Sequence, residues 1–353
     1  MWRETTKHER NKKIFEEELD GFLPRKVLDF HVHVFDEGTL PPGRPFHAGG
    51  PAITRYTFED LGKDLDECFP GRETHAVCFG IPVANGDHRR NNEYVARGCD
   101  NKKFFGLRLL DPQRDDAGSV RRDLANGRLL GLKPYPVYPR KADEATVEIP
   151  EMLPDWAMEV VNDLGALVML HIPRPGRLAD PLNQRHLVEL CTAYPRARIV
   201  LAHIGRAYFY KNIAGHLDAL CELPNLYYDL AMLNHWEVIE YAFAKAAPDK
   251  LLFGSDIPIA LAPGKSVEIN DGYTYVTPGP WSLSISDDHG KLRFTSFLYE
   301  ELRAVKKAVE RLGVGRDFVD GLFYGNGMKL LNDVMNDVHT AGAGTGQFEN
   351  APK

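Results

Sequence analysis

Short apolar runs recur along the chain, and segments with a helix-like spacing of apolar residues separate most of them. Several of the runs are continuously apolar rather than alternating, as expected of parallel strands that are buried on both faces of a sheet. We therefore interpret the runs as the strands of one parallel sheet. The predicted strands cover residues 26–34, 75–81, 104–110, 129–134, 166–172, 198–204, 225–230 and 250–256.

Eight strands that alternate with helices predict an α/β protein, and the most economical arrangement is a (β/α)8 TIM barrel. The length of 353 residues accommodates one barrel of roughly 250 residues together with extensions. A doubly wound open sheet is the alternative, but no glycine-rich fingerprint follows the first strand.

The remaining segments predict additions to a single barrel domain. Residues 1–20 are polar and form a predicted N-terminal helical extension, and the barrel with its C-terminal helices is expected over residues 21–336. Residues 257–292 form a long insertion with the composition of a loop, which we expect to cover the barrel mouth as a lid. A contact between subunits is the alternative role. Residues 337–353 contain several glycines and are predicted to be a flexible tail.

Composition and charge narrow the class of protein. The hydrophobic fraction of 43% is ordinary for a globular protein, and the formal net charge is −7 without a long basic run. Nucleic acid and anionic membranes are therefore not expected as partners. The five cysteines are scattered without a CxxC pair, and neither a signal-peptide core nor a membrane-spanning apolar run is present. These features predict a cytoplasmic protein without disulfides.

The end of the first strand carries the clearest candidate chemistry, the sequence His31-Val32-His33. Side chains two positions apart in a strand point to the same face, so both imidazoles project side by side with Asp29 one step lower. Two such imidazoles can chelate a divalent metal. A pair of half-buried histidines without a metal is the alternative for so short a motif.

Other strands also end in a polar residue, namely Lys133, His171, His203 and Asp256. In a barrel these strand ends converge at the C-terminal mouth, where the active sites of this fold lie. We therefore expect the four side chains to share one cavity with the histidines of the first strand. Asp229 is expected to point inward from the seventh strand and to orient a ligand histidine.

These motifs together resemble the amidohydrolase superfamily, and within it the amidohydrolase-2 group. The resemblance spans residues 27–331, and it implies a barrel with a metal centre. The group contains hydrolases, lactonases and non-oxidative decarboxylases, and some relatives use no metal. The matching segments are His31-x-His33, His171, His203 within His-Ile-Gly, Asp256 within Phe-Gly-Ser-Asp-Ile-Pro, and Tyr324-Gly-Asn326-Gly.

The chemistry and the resemblance together assign roles. His31, His33, His171 and Asp256 are expected to hold one divalent metal, with Zn favoured by ligand type and Mn or another ion left open. Asp256 is also expected to take a proton from water. His203 is expected to act as a general acid or base, or to polarise a substrate carbonyl.

Lys133 has three interpretations. It can remain an ammonium group that binds a substrate carboxylate, which we favour, or it can bridge two metals as a carbamate. A structural ion pair with Asp29 or another inward acid is the third. Arg174, Arg177 and Arg206 lie in loops near the mouth and would suit an anionic substrate, although solvated loop charges are equally ordinary. We expect at least one aromatic side chain of the insertion near the substrate, from Tyr273, Tyr275 and Trp281.

We therefore expect a metal-dependent hydrolase of a small, anionic amide, ester or lactone. A metal-dependent, non-oxidative decarboxylase of an aromatic or unsaturated acid is the alternative enzyme, because it would use the same ligands. A catalytically inactive barrel that binds a ligand is the alternative outside catalysis. The expected partner is a small molecule that carries a carboxylate, and a homo-oligomer is left open.

Overall fold

A barrel of eight parallel strands forms the centre of the protein. The computed structural model of the chain describes residues 9–47 and 52–345. Neighbouring strands follow one another in sequence order, and every adjacent pair is parallel. The strands are β1 Lys26–His33, β2 Glu73–Phe79, β3 Phe104–Leu110, β4 Leu129–Pro134, β5 Leu167–Leu170, β6 Arg198–Leu201, β7 Leu226–Asp229 and β8 Leu251–Leu252.

Backbone hydrogen bonds close the sheet between its first and last strands. The amide of Phe30 donates to the carbonyl of Phe253 over 2.9 Å, and the amide of Asp256 donates to the carbonyl of His31 over 2.8 Å. The amide of His33 then donates to Ile257. The (β/α)8 TIM barrel predicted from the apolar runs is therefore confirmed, although the regular part of the eighth strand is much shorter than residues 250–256.

Helices follow the strands and cover the barrel. Helix α1 begins at a capping box in which Thr57 and Asp60 satisfy each other's backbone amides. Helix α5 begins with proline after the capping Asp180, which leaves no unpaired amide at its first position. The helices are α1 Phe58–Cys68, α2 His88–Gly98, α3 Ala117–Ala125, α4 Asp155–Leu164, α5 Pro181–Ala193, α6 Tyr210–Ile213, α7 Trp236–Lys245 and α8 Phe297–Leu312.

The C-terminal helices brace the bottom of the barrel. Asn326 begins the helix Asn326–Thr345 and donates from its amide nitrogen to the carbonyls of Pro248 and Leu251. A Cβ at Gly327 would lie 2.7 Å from the Leu28 side chain, so this position needs glycine for the helix to approach β1. The first residues of this helix therefore contact β1 and β8, the two strands that close the barrel.

The insertion after β8 is a small sheet, not a loop. Strands β9 Lys265–Ile269 and β10 Gly272–Thr277 pair antiparallel, and β11 Ser284–Ser286 pairs parallel with β10. Asn270 has a positive φ of 54°, as a two-residue hairpin turn requires. The loop composition of residues 257–292 hid these strands, because they are short and are interrupted by proline and glycine.

Two other expectations are corrected. Strands β5 and β6 end before their histidines. The tail that was predicted to be flexible from residue 337 is helical as far as Thr345, because it continues the helix that begins at Asn326. Residues 346–353 lie outside the described residues.

The predicted N-terminal extension is helical where it is described. Residues Glu9–Ile14 form an α-helix and Phe15–Leu19 continue it as a π-helical turn, while residues 1–8 lie outside the described residues. Phe15 and Leu19 are buried, so this segment packs against the barrel. Within the described chain no helix is both long and apolar enough to cross a membrane.

Candidate metal centre

The Nδ1 atoms of His31 and His33 each contact a hydrogen-bond acceptor outside the group of candidate ligands. Nδ1 of His33 lies 2.8 Å from the carbonyl oxygen of Gly80, and Nδ1 of His31 lies 2.9 Å from Oδ2 of Asp229. A carbonyl can only accept, so His33 donates from Nδ1 and keeps its lone pair on Nε2. The carboxylate of Asp229 imposes the same tautomer on His31. This is the arrangement that metal-ligating histidines commonly have.

Asp256 faces both of these Nε2 atoms. Its Oδ1 lies 3.6 Å from His31 Nε2 and 3.2 Å from His33 Nε2. Two ligand atoms on one tetrahedral zinc lie about 3.3–3.4 Å apart, because each is about 2.0–2.1 Å from the ion. Oδ1 is buried and has no well-formed hydrogen bond in the described structure, so it is a polar atom that a bound cation would satisfy.

His203 is held in the same region by an unusual turn. Consecutive positive φ angles occur at His203 (54°), Ile204 (46°), Gly205 (67°) and Arg206 (61°). Left-handed backbone costs roughly 1–2 kcal/mol for each residue other than glycine. The His203 amide donates to Asp229 Oδ1 over 2.7 Å, and its Nδ1 lies 2.9 Å from the carbonyl of Ala231. These contacts hold the strained turn and leave the Nε2 lone pair free to react.

The tightest group of potential ligand atoms comes from His31, His203 and Asp256, whose atoms lie within 4.8 Å of one another. This group includes the histidine to which the sequence assigned acid–base chemistry. His33 adjoins it through Asp256, whereas His171 lies outside it. The structure thus brings the predicted residues to one place, and the division between ligand and acid–base histidine stays a prediction.

Burial keeps the imidazoles in the form that binds metals. It lowers the pKa of His31 and His171 well below the usual value, and it lowers the pKa of His203 as well. Nearby positive charge, including that of Lys133, adds to the effect on all three. Burial would raise the pKa of Asp256, but the neighbouring His33 and His31 outweigh it and the pKa falls below its usual value. Burial therefore favours the neutral ring at His31, His171 and His203, beside an ionised Asp256.

His171 follows β5 and differs from the other histidines. Its ring stacks on Tyr135 with centroids 5.0 Å apart, and its centroid lies 5.3 Å from that of His203. Its Nδ1 is buried and has no hydrogen-bond partner among the described residues. The ring is therefore positioned by stacking, without the outer hydrogen bond that anchors the other three.

Lys133 lies at the bottom of the site, not at its rim. Its Nζ is 3.3 Å from His31 Nε2 and 4.3 Å from the centroid of the Phe79 ring. Burial lowers the pKa of Lys133 to about 7, with Asp229 and Asp256 opposing the shift. The alternative ion pair with Asp29 is not formed in the described structure. Asp29 instead accepts hydrogen bonds from the backbone amide of His31 and from the amide and hydroxyl of Ser255.

Two acids support the histidines from outside the ligand group. Asp229 joins His31 to the His203 turn, as the sequence predicted for an orienting residue. Glu301 of α8 was missed: it is fully buried, and its Oε2 accepts the amide of Met232 over 2.8 Å. Burial raises the pKa of Glu301 well above the usual value. The signal in the sequence was an acid on the apolar face of α8, three residues after Leu298 and four residues before Val305.

The three loop arginines adjoin a cavity of about 570 Å³ that His171 and Tyr135 also line. Nε of Arg174 lies 3.0 Å from Asp180 Oδ2, so this charge is neutralised. Arg177 places its guanidinium 4.4 Å from the centroid of the Tyr273 ring, and Arg206 donates to the carbonyl of Ile172 over 3.2 Å. All three arginines were expected at the mouth, but only two keep an uncompensated charge.

Aromatic rings connect the insertion to the histidines. The ring centroid of Tyr208 lies 5.8 Å from that of His203 and 4.8 Å from that of Tyr273 in β10. Trp281 stacks on Tyr275 at 5.1 Å, one ring further from the centre. The small sheet therefore lies beside the His203 side of the mouth. Tyr208, which makes this connection, was not singled out from the sequence.

Comparison with known families finds one match. A family model described as amidohydrolase matches residues 28–274, which is more than half of the chain. A comparison with functionally curated proteins finds no match.

Several solved structures share the fold. An amidohydrolase from Burkholderia multivorans with bound zinc has a TM-score of 0.56 at 15% identity, with 87% of this chain and 99% of that chain covered. A probable 2-pyrone-4,6-dicarboxylic acid hydrolase from Acinetobacter baumannii has a TM-score of 0.52 at 16% identity and the same coverage. A 2,6-dihydroxybenzoate decarboxylase from Rhizobium has a TM-score of 0.52 at 14% identity, with 88% and 99% covered.

Proposed function

Because the chain belongs to the amidohydrolase family, we propose that it is a metal-dependent hydrolase of a small, anionic amide, ester or lactone. One observation carries the proposal: His31 and His33 each commit Nδ1 to an outer acceptor while ionised Asp256 lies beside their free Nε2 atoms. Two imidazole nitrogens and a carboxylate oxygen suit zinc and related divalent ions.

In this proposal His31, His33, His171 and Asp256 hold the ion. The separations of 3.6 Å and 3.2 Å between Asp256 and the first two histidines support their sharing one ion. His171 completes the set because its ring adjoins that of His203 and its buried Nδ1 has no hydrogen-bond partner among the described residues. When bound, the metal would lower the pKa of a water molecule and polarise the substrate carbonyl.

In this proposal Asp256 and His203 transfer the protons of the reaction. The ionised carboxylate of Asp256 accepts one proton from the attacking water. His203, neutral with its fixed proton on Nδ1, can take that proton from Asp256 at Nε2 and donate it to the leaving group, which restores both residues. Asp229 holds the His203 turn through the backbone and keeps the imidazole in place. Tyr208 and Tyr273 limit the access of bulk water on this side.

Decarboxylation is the second candidate, and the aromatic lining of the mouth favours it. The ring of Tyr135 lines the cavity beside His171, Tyr208 adjoins His203 and Tyr273 adjoins Arg177, and such rings would suit a flat, unsaturated acid. The same histidines and Asp256 would serve that reaction, with His203 delivering a proton to carbon.

The test is a substrate panel on purified protein of known metal content. Lactones, esters and amides with and without a carboxylate are assayed for hydrolysis, and aromatic acids are assayed for release of carbon dioxide. The proposal expects hydrolysis that a chelator abolishes and zinc or manganese restores. Carbon dioxide release without hydrolysis would replace it with decarboxylation. Bound metal without turnover on either panel would favour a ligand-binding barrel.

A further inference from the structure

We propose that Arg177 and Arg206 form a subsite that binds one carboxylate of the substrate, and that Tyr273 of the insertion completes it. The inference rests on the proposed function and deepens it, since it names the group by which the site selects substrates. The scissile carbonyl would lie at the histidines, and the carboxylate would lie at the arginine pair across the same cavity.

Arg177 is oriented but has no counterion. Its guanidinium lies 4.4 Å from the ring centroid of Tyr273 and 5.6 Å from that of Tyr208, so two aromatic faces fix its plane. Its Nε is buried and has no hydrogen-bond partner in the described structure. A buried N–H of a charged group without an acceptor is costly, and a bound oxyanion would satisfy it.

Arg206 reaches the same place from the strained turn after β6. It is half-buried, and its side chain donates to the carbonyl of Ile172, which leaves further N–H donors for a ligand. Both arginines line the same cavity of about 570 Å³. Burial lowers the pKa of Arg206, and the charge of Arg177 adds to the effect. An anion bound beside the two like charges would relieve their repulsion.

The charge balance around the cavity supports the assignment. Arg174 is neutralised by Asp180, and Glu144, the acid among the residues that line the cavity, is exposed. In the described part of the chain neither Arg177 nor Arg206 forms an ion pair with a carboxylate. Guanidinium groups bind planar oxyanions through paired N–H donors, so a carboxylate matches this pair better than a neutral amide does.

Both arginines have positive φ angles, 54° at Arg177 and 61° at Arg206. Such backbone is unfavourable for side-chain-bearing residues and persists where the surroundings hold it, commonly at ligand sites. Asn183 helps to hold the first turn, since its side-chain amide donates to the carbonyls of Pro173 and Arg177 over 2.9 Å each. The backbone conformation at these residues therefore positions both guanidinium groups without a ligand.

The experiment measures binding, not turnover. Benzoate and its neutral counterpart benzamide are titrated calorimetrically into the parent protein and into Arg177→Gln, Arg206→Gln and Arg174→Gln, at matched metal content. Losing a charge-assisted hydrogen bond should weaken benzoate binding by about tenfold to a hundredfold in the first two variants. Benzamide binding should change by less than about threefold in these variants, since a neutral ligand gains little from the charge. Benzamide binding close to that of the parent protein would also show that the variants are folded.

Arg174→Gln is the matched control because Arg174 lines the same cavity with its charge already paired. Its benzoate affinity should stay close to that of the parent protein. An equal loss in all three variants would overturn the subsite, as would unchanged benzoate binding in Arg177→Gln and Arg206→Gln or no benzoate binding by the parent protein at millimolar concentration. Failure of hydrolysis is a separate result. Benzoate binding that depends on the arginines, without turnover of any substrate, would contradict the proposed reaction but not the carboxylate subsite.

Discussion

Oδ2 of Asp229 lies 2.9 Å from Nδ1 of His31, and both side chains are fully buried. The other carboxylate oxygen, Oδ1, accepts the backbone amides of His203 and Ala231. One side chain therefore sets the tautomer of a histidine in β1 and the backbone of the turn after β6. Two histidines from distant parts of the chain are held in register by this acid.

Replacing Asp229 with asparagine should weaken metal binding about tenfold to a hundredfold, the usual effect of losing such a partner. Asparagine has one oxygen, which the two backbone amides will retain, so its NH2 group faces His31 Nδ1. His31 must then accept at Nδ1 and carry its proton on Nε2, where the metal needs a lone pair. Zinc affinity measured by competition with a chelating dye checks this. Asp218→Asn, an exposed acid, is the control, and equal affinities in both variants would contradict the account.

His203→Asn should keep the metal and the fold but lower turnover by about two to four powers of ten, the usual contribution of a positioned acid or base. His31→Asn should lose metal and activity together. Metal content and kcat are measured on both variants. If His203→Asn loses metal as readily as His31→Asn does, then His203 is a ligand, as its closeness to His31 and Asp256 allows. That result would favour a binuclear centre with Lys133 as its bridging carbamate.

Glu301→Ala should lower kcat without changing metal content. Glu301 holds the amide of Met232, which has a left-handed φ of 62°, and the preceding carbonyl of Ala231 receives the Nδ1 proton of His203. Glu301→Gln keeps an acceptor oxygen and should restore most of the activity. A pH profile of kcat separates positioning from general loss of stability, since a misplaced His203 should shift the profile. Equal kcat values and profiles in all three proteins would remove Glu301 from the site.

Glu301→Gln should also change how stability depends on pH. Burial raises the pKa of Glu301, so the folded protein retains a proton that the unfolded chain releases once the pH exceeds the usual glutamate pKa. The folded parent protein therefore loses stability as the pH rises through the range above the usual glutamate pKa, and glutamine avoids this loss. The melting temperature of the variant relative to that of the parent should rise across this range. A constant difference would show that Glu301 has an ordinary pKa.

Tyr273→Ala should raise KM for a carboxylate substrate more than Trp281→Ala does. Tyr273 contacts both Tyr208 and the Arg177 guanidinium, whereas Trp281 stacks on Tyr275 one ring further out. Tyr273→Phe keeps the ring and should remain close to the parent protein. Steady-state kinetics on the three variants measures the order. If Trp281→Ala has the larger effect, the small sheet does not face the substrate through β10.

The barrel was predictable because its strands are buried on both faces and because several of them end in a polar residue at the same place in the repeat. That regularity gave His31, His33, His171, His203 and Asp256 as neighbours. The insertion was not predictable as a sheet, since strands as short as Ser284–Ser286 give too little alternation. The left-handed turn at His203 depends on Asp229 and Ala231 at the end of the neighbouring strand. Pairing of Arg174 with Asp180 likewise depends on loop geometry that spacing does not encode.

The most direct test of the central claim is a crystal structure of the zinc-loaded protein with anomalous data at the zinc absorption edge. The account predicts one anomalous peak per chain, about 2.0–2.2 Å from Nε2 of His31, Nε2 of His33 and a carboxylate oxygen of Asp256. A nitrogen of His171 should complete the set, with His203 close by but not bound. A peak elsewhere, or no peak in protein that retains its hydrolytic activity, would contradict the account.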